Sequence, residues 1–398
     1  MNKSKVMGST LIIAGTTIGA GMLALPLASA GIGFSTSLII MLCLWALMAY
    51  TALMMVELHQ HADSQATLHT LALQILGKRG KWLASLSMLF LFYSLCAAYI
   101  AGGGAQFGQR IQQWTGLDIS GQTGTVIFTV LVAAIVVIGT ATVDKVNRVL
   151  FTLKLVAMAS VLLFLAPNVT QSYLLSMPIE QGLIVAAIPV IFTSFGFHGS
   201  IPAIVRYLDG DTPSLRKAIL VGSAIPLVIY IFWQIVTLGV VSQPELLDNQ
   251  GLTALIAQLS TTVQQSNISH AIALFADLAL LTSFLGVSLG LFEFLGDSMN
   301  KTHSSRLITG AVTFIPPMGF ALFYPQGFIT ALGYAAIALA VLAIFLPVIM
   351  IIKARVTYEP AEYQVPGGRA GIALSTLAGV LIITAQLFIT AGVLPALG

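Results

Sequence analysis

Two stretches decide how this chain is read. The first is Ala14-Gly15-Thr16-Thr17-Ile18-Gly19-Ala20-Gly21-Met22, with Pro26 one turn later, and the second is Phe192-Thr193-Ser194-Phe195-Gly196-Phe197-His198-Gly199-Ser200, flanked by Pro189 and Pro202. Each interrupts an apolar run long enough to cross a bilayer, putting helix breakers at a depth where no water is available to the backbone. Non-helical backbone is tolerated there only where protein or a water-filled cavity satisfies it.

The rest of the chain establishes that depth. Its 398 residues are 57% hydrophobic and 8% charged, with a mean hydropathy of +0.96; a soluble domain carries about 25% charged residues. There is too little charge to cover a water-facing surface. Cutting at the charged clusters leaves apolar segments near 8–31, 34–56, 82–108, 124–142, 149–166, 182–205, 218–241, 269–296, 307–324, 327–352 and 371–394. Each is long enough to span at 1.5 Å per residue. The segments lack the alternation of barrel strands. The expectation is an all-α integral membrane protein with eleven transmembrane helices in a single domain, 1–398. The first stretch is too long and too glycine-broken for a cleavable signal and reads as span one.

Orientation follows from the cations. Of the 17 lysines and arginines, Arg110 alone falls on the side opposite the N-terminus, with Lys154 counted close to the crowded side. The positive-inside rule then makes the N-terminus cytoplasmic and the C-terminus external. The net charge of +3 reports topology and gives no sign of nucleic-acid binding. Cys43 and Cys96 lie in apolar runs, so neither a disulfide framework nor a Cys-rich metal site is expected. His59, His61, Asp63 and His69 in the 57–81 loop read as solvated rather than metal-binding. The external 242–268 loop has a helix-like stretch at 251–263. No metal or other cofactor is expected.

The breaks fall in spans one and six, the first members of two five-span halves. Paired broken segments in corresponding positions point to an inverted-repeat transporter with its site between them. Freed N–H groups and a half-helix N-terminus in span one suit a carboxylate, and freed carbonyls in span six suit an ammonium. Close packing through Gly15 and Gly19 is the alternative for span one alone.

At these segments the chain resembles the hydroxy and aromatic amino acid permeases. The likeness is carried by GTTIGAGMLALPLA (15–28), LWALMAYTAL (44–53), AIPVIFTSFGFHGS (187–200), GSAIPLVIYIFWQ (222–234), LFADLALLTSFLGVSLGLF (274–292) and ALFYPQGFITALGYA (321–335), and covers essentially the whole chain. The resemblance implies the amino acid–polyamine–organocation superfamily and a LeuT-like five-plus-five inverted repeat. Broken helices 1 and 6 lead the repeats, about 8–166 and 182–352, and an extra C-terminal helix occupies about 371–394. It also implies uptake of an aromatic amino acid, L-tyrosine foremost, by proton symport through the bacterial inner membrane. The alternative is a tryptophan or hydroxy amino acid permease, with sodium coupling open.

The substrate candidates are Thr16, Thr17, Gly19, Ala20, Gly21, Tyr93, Phe192, Thr193, Ser194, Phe195, Gly196, His198, Ser283 and Tyr334. His198 reads equally as a substrate or proton group and as a structural histidine bonding a freed carbonyl. Tyr93 reads as a substrate contact or as packing. For coupling, the candidates are Lys154, Thr282 and Ser283. The resemblance implies that the Lys154 ammonium stands where sodium-coupled relatives hold the ion, against spans one and eight. About 8 Å into span five as cut above, this lysine also reads as a snorkelling anchor. Thr282 and Ser283 are the oxygens that a sodium site would use. Thr282, Gly286, Gly290 and Glu293 line one face of span eight, and Asp277 points elsewhere, its partner unnamed. His198, Thr193, Ser283 and Asp277 are the candidates to meet a phenolic hydroxyl. Gly102-Gly103-Gly104 reads as a tight crossing or a pivot, Trp45 and Trp233 as interface or packing residues, and Glu57 and Asp144 as ion-pair partners on the cytoplasmic side. Neither a ring-forming channel filter nor an intramembrane nucleophile–base motif is present.

Overall fold

The computed structural model describes residues 3–116, 119–176, 183–248, 251–262, 266–299 and 306–397. Lys301, the first residue of the proposed second repeat at 182, and parts of the 242–268 loop lie outside the described residues. In chain order the helices are α1 (Lys3–Thr17), α2 (Gly21–Ser29), α3 (Gly33–His59), α4 (Leu68–Leu76), α5 (Lys78–Thr115), α6 (Gly121–Ile138), α7 (Thr140–Leu165), α8 (Gln171–Leu175) and α9 (Leu183–Thr193). They continue with α10 (Ile201–Tyr207), α11 (Thr212–Val240), α12 (Gln243–Asp248), α13 (Leu252–Thr262), α14 (Ser266–Met299), α15 (Arg306–Phe323), α16 (Phe328–Ala340), α17 (Leu346–Thr357) and α18 (Gly368–Thr390). No strand occurs among the described residues.

Among the described residues, ten helical stretches are long and apolar enough to cross a membrane, or eleven if the bent pair α1 and α2 is a single span. Their outer faces carry large exposed apolar side chains such as Phe323, Val356, Leu163 and Leu307. In water such a surface would associate; against lipid tails it is the expected covering.

Span one is α1 and α2, bent by 53° at residues 18–20. Span six is α9 and α10, with residues 194–197 in non-helical turn and a single 3-10 turn at His198–Ser200. Span ten joins α16 to α17 through a π-helical turn, Val341–Phe345.

The charge-based cutting misplaced one boundary with consequences. Span five does not begin near 149: α7 starts at Thr140, directly after the Gly139 turn from α6. Asp144 and Arg148 are on the helix itself, paired across one turn at 2.7 Å. Lys154 therefore lies 14 residues into its helix, about 21 Å along the axis, rather than about 8 Å.

Tight crossings use small residues, as expected where lipid leaves no hydrophobic drive between helices. A Cβ at Gly103 or Gly104 would meet Phe128 or Thr125 of α6 at 2.6 and 2.5 Å. On the charge-rich face, buried Glu57 receives both arms of Arg355 at 2.7 and 2.8 Å and the Val365 N–H at 2.7 Å. This ties α3 to α17 and the segment after it. The neighbouring histidines serve separate contacts: His59 is buried at the end of α3, His61 stacks on Tyr358, and His69 bonds Ser85 at 2.9 Å. The segment is thus only partly solvated, because 68–76 folds as α4 behind a Thr67–Thr70 capping box.

Candidate functional site at the two helix breaks

A helix interrupted in the membrane exposes backbone groups whose partners must come from elsewhere in the protein. At the span-one break they come from three unbroken helices and from span six. The Tyr230 hydroxyl of α11 lies 2.6 Å from the Thr17 carbonyl and 3.0 Å from that of Ser194. The Lys154 ammonium of α7 donates to the Ile18 carbonyl at 2.9 Å. The Ala20 N–H donates to Ser283 Oγ of α14 at 2.9 Å, and the Ser194 hydroxyl donates to the Gly21 carbonyl at 3.0 Å.

Tyr230 has one proton and two carbonyl acceptors, one from each break. It therefore holds the breaks together, as does Ser194. Small residues permit this approach: a Cβ on Gly19 would meet Ser283 Oγ at 2.9 Å, and one on Gly21 the Ser194 Cα at 3.1 Å.

Lys154 is 2% exposed, and its ammonium also lies 4.5 Å from the centre of the Phe151 ring. It pairs with no carboxylate among the described residues. Its ammonium turns inward to span one rather than outward to the interface, which removes the snorkelling reading. Ser283 touches the break directly, whereas the buried Thr282 hydroxyl donates to Leu278 of its own helix at 2.8 Å.

In span six, Phe192, Phe195 and Phe197 are buried, and Phe195 meets Tyr230 edge-on with centroids 5.4 Å apart. The Thr193 hydroxyl is turned to the Pro189 and Leu332 carbonyls at 3.0 and 3.1 Å, and a Cβ on Gly196 would meet Leu339 at 3.2 Å. Both thus face span ten. Buried His198 places Nε2 2.9 Å from Thr51 Oγ1 of α3, and Nδ1 has no partner among the described residues. A buried N–H left unpaired costs more than a bare acceptor, so Nε2 carries the proton and donates to Thr51, whose hydroxyl reaches the Met48 carbonyl at 3.3 Å.

Three sequence candidates stand apart from this cluster. The Thr16 hydroxyl donates to Ile12 of its own helix at 2.8 Å. Tyr93 donates to the Val312 carbonyl of α15 at 2.7 Å. Tyr334 lines a separate cavity of about 170 Å³ with Ala186, Thr330, Gln386 and Thr390 between spans six, ten and eleven. Sequence alone does not separate a site-facing aromatic from one that packs between spans. Asp277 finds its partner in Arg110 at 2.9 Å, from α5, 167 positions earlier.

Tyr230 is the residue that sequence reading missed. It lies within the 222–234 segment quoted above, but nothing in that apolar helix distinguishes it from a packing tyrosine. Gln234 was missed similarly; one turn further along α11, its amide donates to the Leu25 carbonyl of α2 at 3.3 Å.

The family model of tryptophan/tyrosine permeases matches residues 2–386. The chain is 45% identical to Tyrosine-specific transport system 1 of Haemophilus influenzae, over 98% of this chain and 99% of that one. It is 34% identical to the Tryptophan-specific transport protein of the same organism, over 96% and 95% of the two chains. Against Glutamine transporter 2 of Aliivibrio fischeri the identity is 32%, over 96% and 99%. A membrane chain matched over nearly its whole length in this way belongs to the tryptophan/tyrosine permease family.

Proposed function

We propose that this permease imports L-tyrosine by proton symport through alternating access, in a LeuT-like arrangement with repeats of about 8–166 and 182–352 and an added helix at about 371–394. The N-terminus is cytoplasmic, the C-terminus external, and the membrane the bacterial inner membrane. The cation asymmetry supports the orientation, and the high identity to a tyrosine-specific relative supports the substrate.

The observation that carries the coupling is the Lys154 ammonium against the Ile18 carbonyl, buried and without a carboxylate partner among the described residues. Lysine can release a proton in the accessible pH range and arginine cannot. Proton loss removes a charge-assisted bond from the span-one break and changes its preferred geometry. The substrate carboxylate takes N–H groups at Ala20 and the first turn of α2, where the half-helix dipole favours an anion. Its ammonium takes carbonyls at the end of α9, Ser194 among them. Phe192, Phe195 and Phe197 supply the apolar surface for the ring, and Thr17, Gly19, Gly21 and Ser194 keep the breaks close. His198 fastens span six to span two and does not meet substrate.

Uptake into proteoliposomes under separately imposed proton and sodium gradients tests this. Tyrosine should accumulate with the proton gradient alone and compete better than phenylalanine by more than about tenfold, about 1.4 kcal/mol. Such a gap is expected if the site pairs the phenolic hydroxyl, because phenylalanine leaves that partner bare. Lys154→Ala should keep exchange and lose uphill accumulation, and Lys154→Arg should fail as well. Uphill, proton-driven accumulation by Lys154→Ala removes the coupling role.

A second reading is a tryptophan or hydroxy amino acid permease, sodium-coupled through Ser283 and Thr282. The relative named for tryptophan, and the Ser283 oxygen at the break, favour it. Accumulation driven by sodium alone, or stronger competition by tryptophan, selects it.

A further inference from the structure

The charge-rich face carries a cleft unrelated to the breaks. It has a volume of about 260 Å³ and is lined by Lys3, Val6, Met7 and Thr10 of α1 and by Lys217 and Val221 of α11. Both lysines are exposed, and neither has a carboxylate within 4 Å among the described residues. Asp209, close to this end of α1, is already engaged by Lys5 at 2.8 Å. Between the lysines the lining is almost wholly apolar. Met7 and Val221 are themselves exposed, and so are Leu11 and Leu220 beside them on the two helices, continuing the apolar surface toward the lipid.

We propose that this cleft binds one anionic phospholipid, with the headgroup phosphate between the Lys3 and Lys217 ammonium groups and an acyl chain along Met7 and Val221. The charge complementarity is direct: two unpaired cations at the membrane–water boundary attract an anion, each by about fivefold in affinity. Lys3 opens α1, where the backbone dipole adds attraction in the same sense. A free phosphate would use the cations and leave the apolar floor in water, whereas a lipid uses both. The occupant spans the seam between α1, which runs directly into the Ile18–Ala20 break, and α11, which carries Tyr230. A lipid held there braces two elements that frame the site.

The full-length protein, released into mild detergent, can be titrated with phosphatidylglycerol, phosphatidylcholine and glycerol phosphate under native mass spectrometry. Phosphatidylglycerol should bind about twenty-five-fold more tightly than phosphatidylcholine, about fivefold for each lysine. The K3Q/K217Q variant should lose that preference. A control, K78Q/R79Q, removes two exposed cations from the start of α5 on the same face and should keep it. An unchanged preference in K3Q/K217Q, or equal loss in the control, overturns the site. Glycerol phosphate binding as tightly as phosphatidylglycerol to the unaltered protein overturns the lipid as occupant. None of these readouts depends on the transported substrate or the coupling ion.

Discussion

Tyr230→Phe removes one oxygen from the junction of the two breaks and little else. The ring remains, with its edge-on contact to Phe195, so packing is conserved. What disappears is the only proton shared by the Thr17 and Ser194 carbonyls at 2.6 and 3.0 Å. One donor satisfies one acceptor fully at a time, so the loss equals one buried hydrogen bond whose acceptor is left without that partner, about 1–3 kcal/mol. If the two breaks must be held in register to present backbone groups to a ligand, much of that energy appears in binding, and affinity falls by about tenfold, the equivalent of 1.4 kcal/mol. The assay is equilibrium binding of radiolabelled tyrosine to purified protein, with thermal unfolding followed in parallel to confirm a folded state. Thr237→Val is the matched control. It deletes another buried hydroxyl of α11, one that donates to Trp233 within its own helix at 2.7 Å, and should leave affinity within about twofold, since that bond reaches neither break. Tyr230→Phe binding tyrosine as tightly as the unaltered protein would refute the idea that this hydroxyl fixes the binding geometry.

Gly19→Ala puts a methyl 2.9 Å from Ser283 Oγ and should cut tyrosine binding by at least about tenfold, while Ser283→Ala leaves the Ala20 N–H without its acceptor and should cost about fivefold, near 1 kcal/mol. The double variant should be closer to the worse single variant than to the product of the two, because both act at one contact; a simple product in binding assays counts against that contact. Arg355→Ala strands the Glu57 carboxylate, 2% exposed, with the Val365 N–H as its remaining partner; the expected loss is about 3–5 kcal/mol of stability, read as a lower unfolding temperature in detergent, and an unchanged temperature rejects a structural role for the pair. Thr51→Val removes the acceptor for His198 Nε2 and should lower stability by about 1–2 kcal/mol while leaving the tyrosine-over-phenylalanine ratio unchanged; a narrowed ratio would return His198 to the substrate site.

The spans were legible because lipid demands long apolar runs, and the breaks because glycine, hydroxyl residues and proline cluster twice at that depth, in spans one and six, where a packing motif alone would not need the pair. Charges proved a poor ruler for the ends. Asp144, Lys145 and Arg148 belong to the first turns of α7, where water still reaches them, so cutting there shortened the helix and made Lys154 look shallow. Partners distant in sequence were illegible for a different reason. Arg110 and Asp277 lie on α5 and α14, and no local pattern encodes which helices are neighbours. Tyr93, Tyr334 and Tyr230 are alike as sequence: three tyrosines in apolar helices. Packing alone assigns the first to a carbonyl of α15, the second to a peripheral cavity and the third to both breaks.

That last distinction bears on how a backbone site can select a ligand. Between Thr17 and Gly21 the break is already served by protein: Tyr230, Lys154, Ser283 and Ser194 each occupy one backbone group. A zwitterion that takes the Ala20 N–H must displace Ser283, and one that takes the Ser194 carbonyl shares that oxygen with the Tyr230 hydroxyl or turns the hydroxyl wholly to Thr17. Each exchange trades one hydrogen bond for another, so its net contribution is a small difference between similar energies. At the proposed site the amino and carboxyl groups, common to every amino acid, would therefore supply orientation more than affinity, leaving discrimination to the side chain and the buried phenylalanines of span six. The same exchanges carry the mechanical consequence. Each displaced group belongs to a different unbroken helix or to the other break, so binding at the backbone alters how span one is fastened to α11 and α14, while Lys154 fastens it to α7. In the proposed symport, a substrate and a proton acting on one five-residue segment through separate helices would be coupled without touching each other, and weakening either fastening should shift the conformational balance even where the ligand's own contacts are intact.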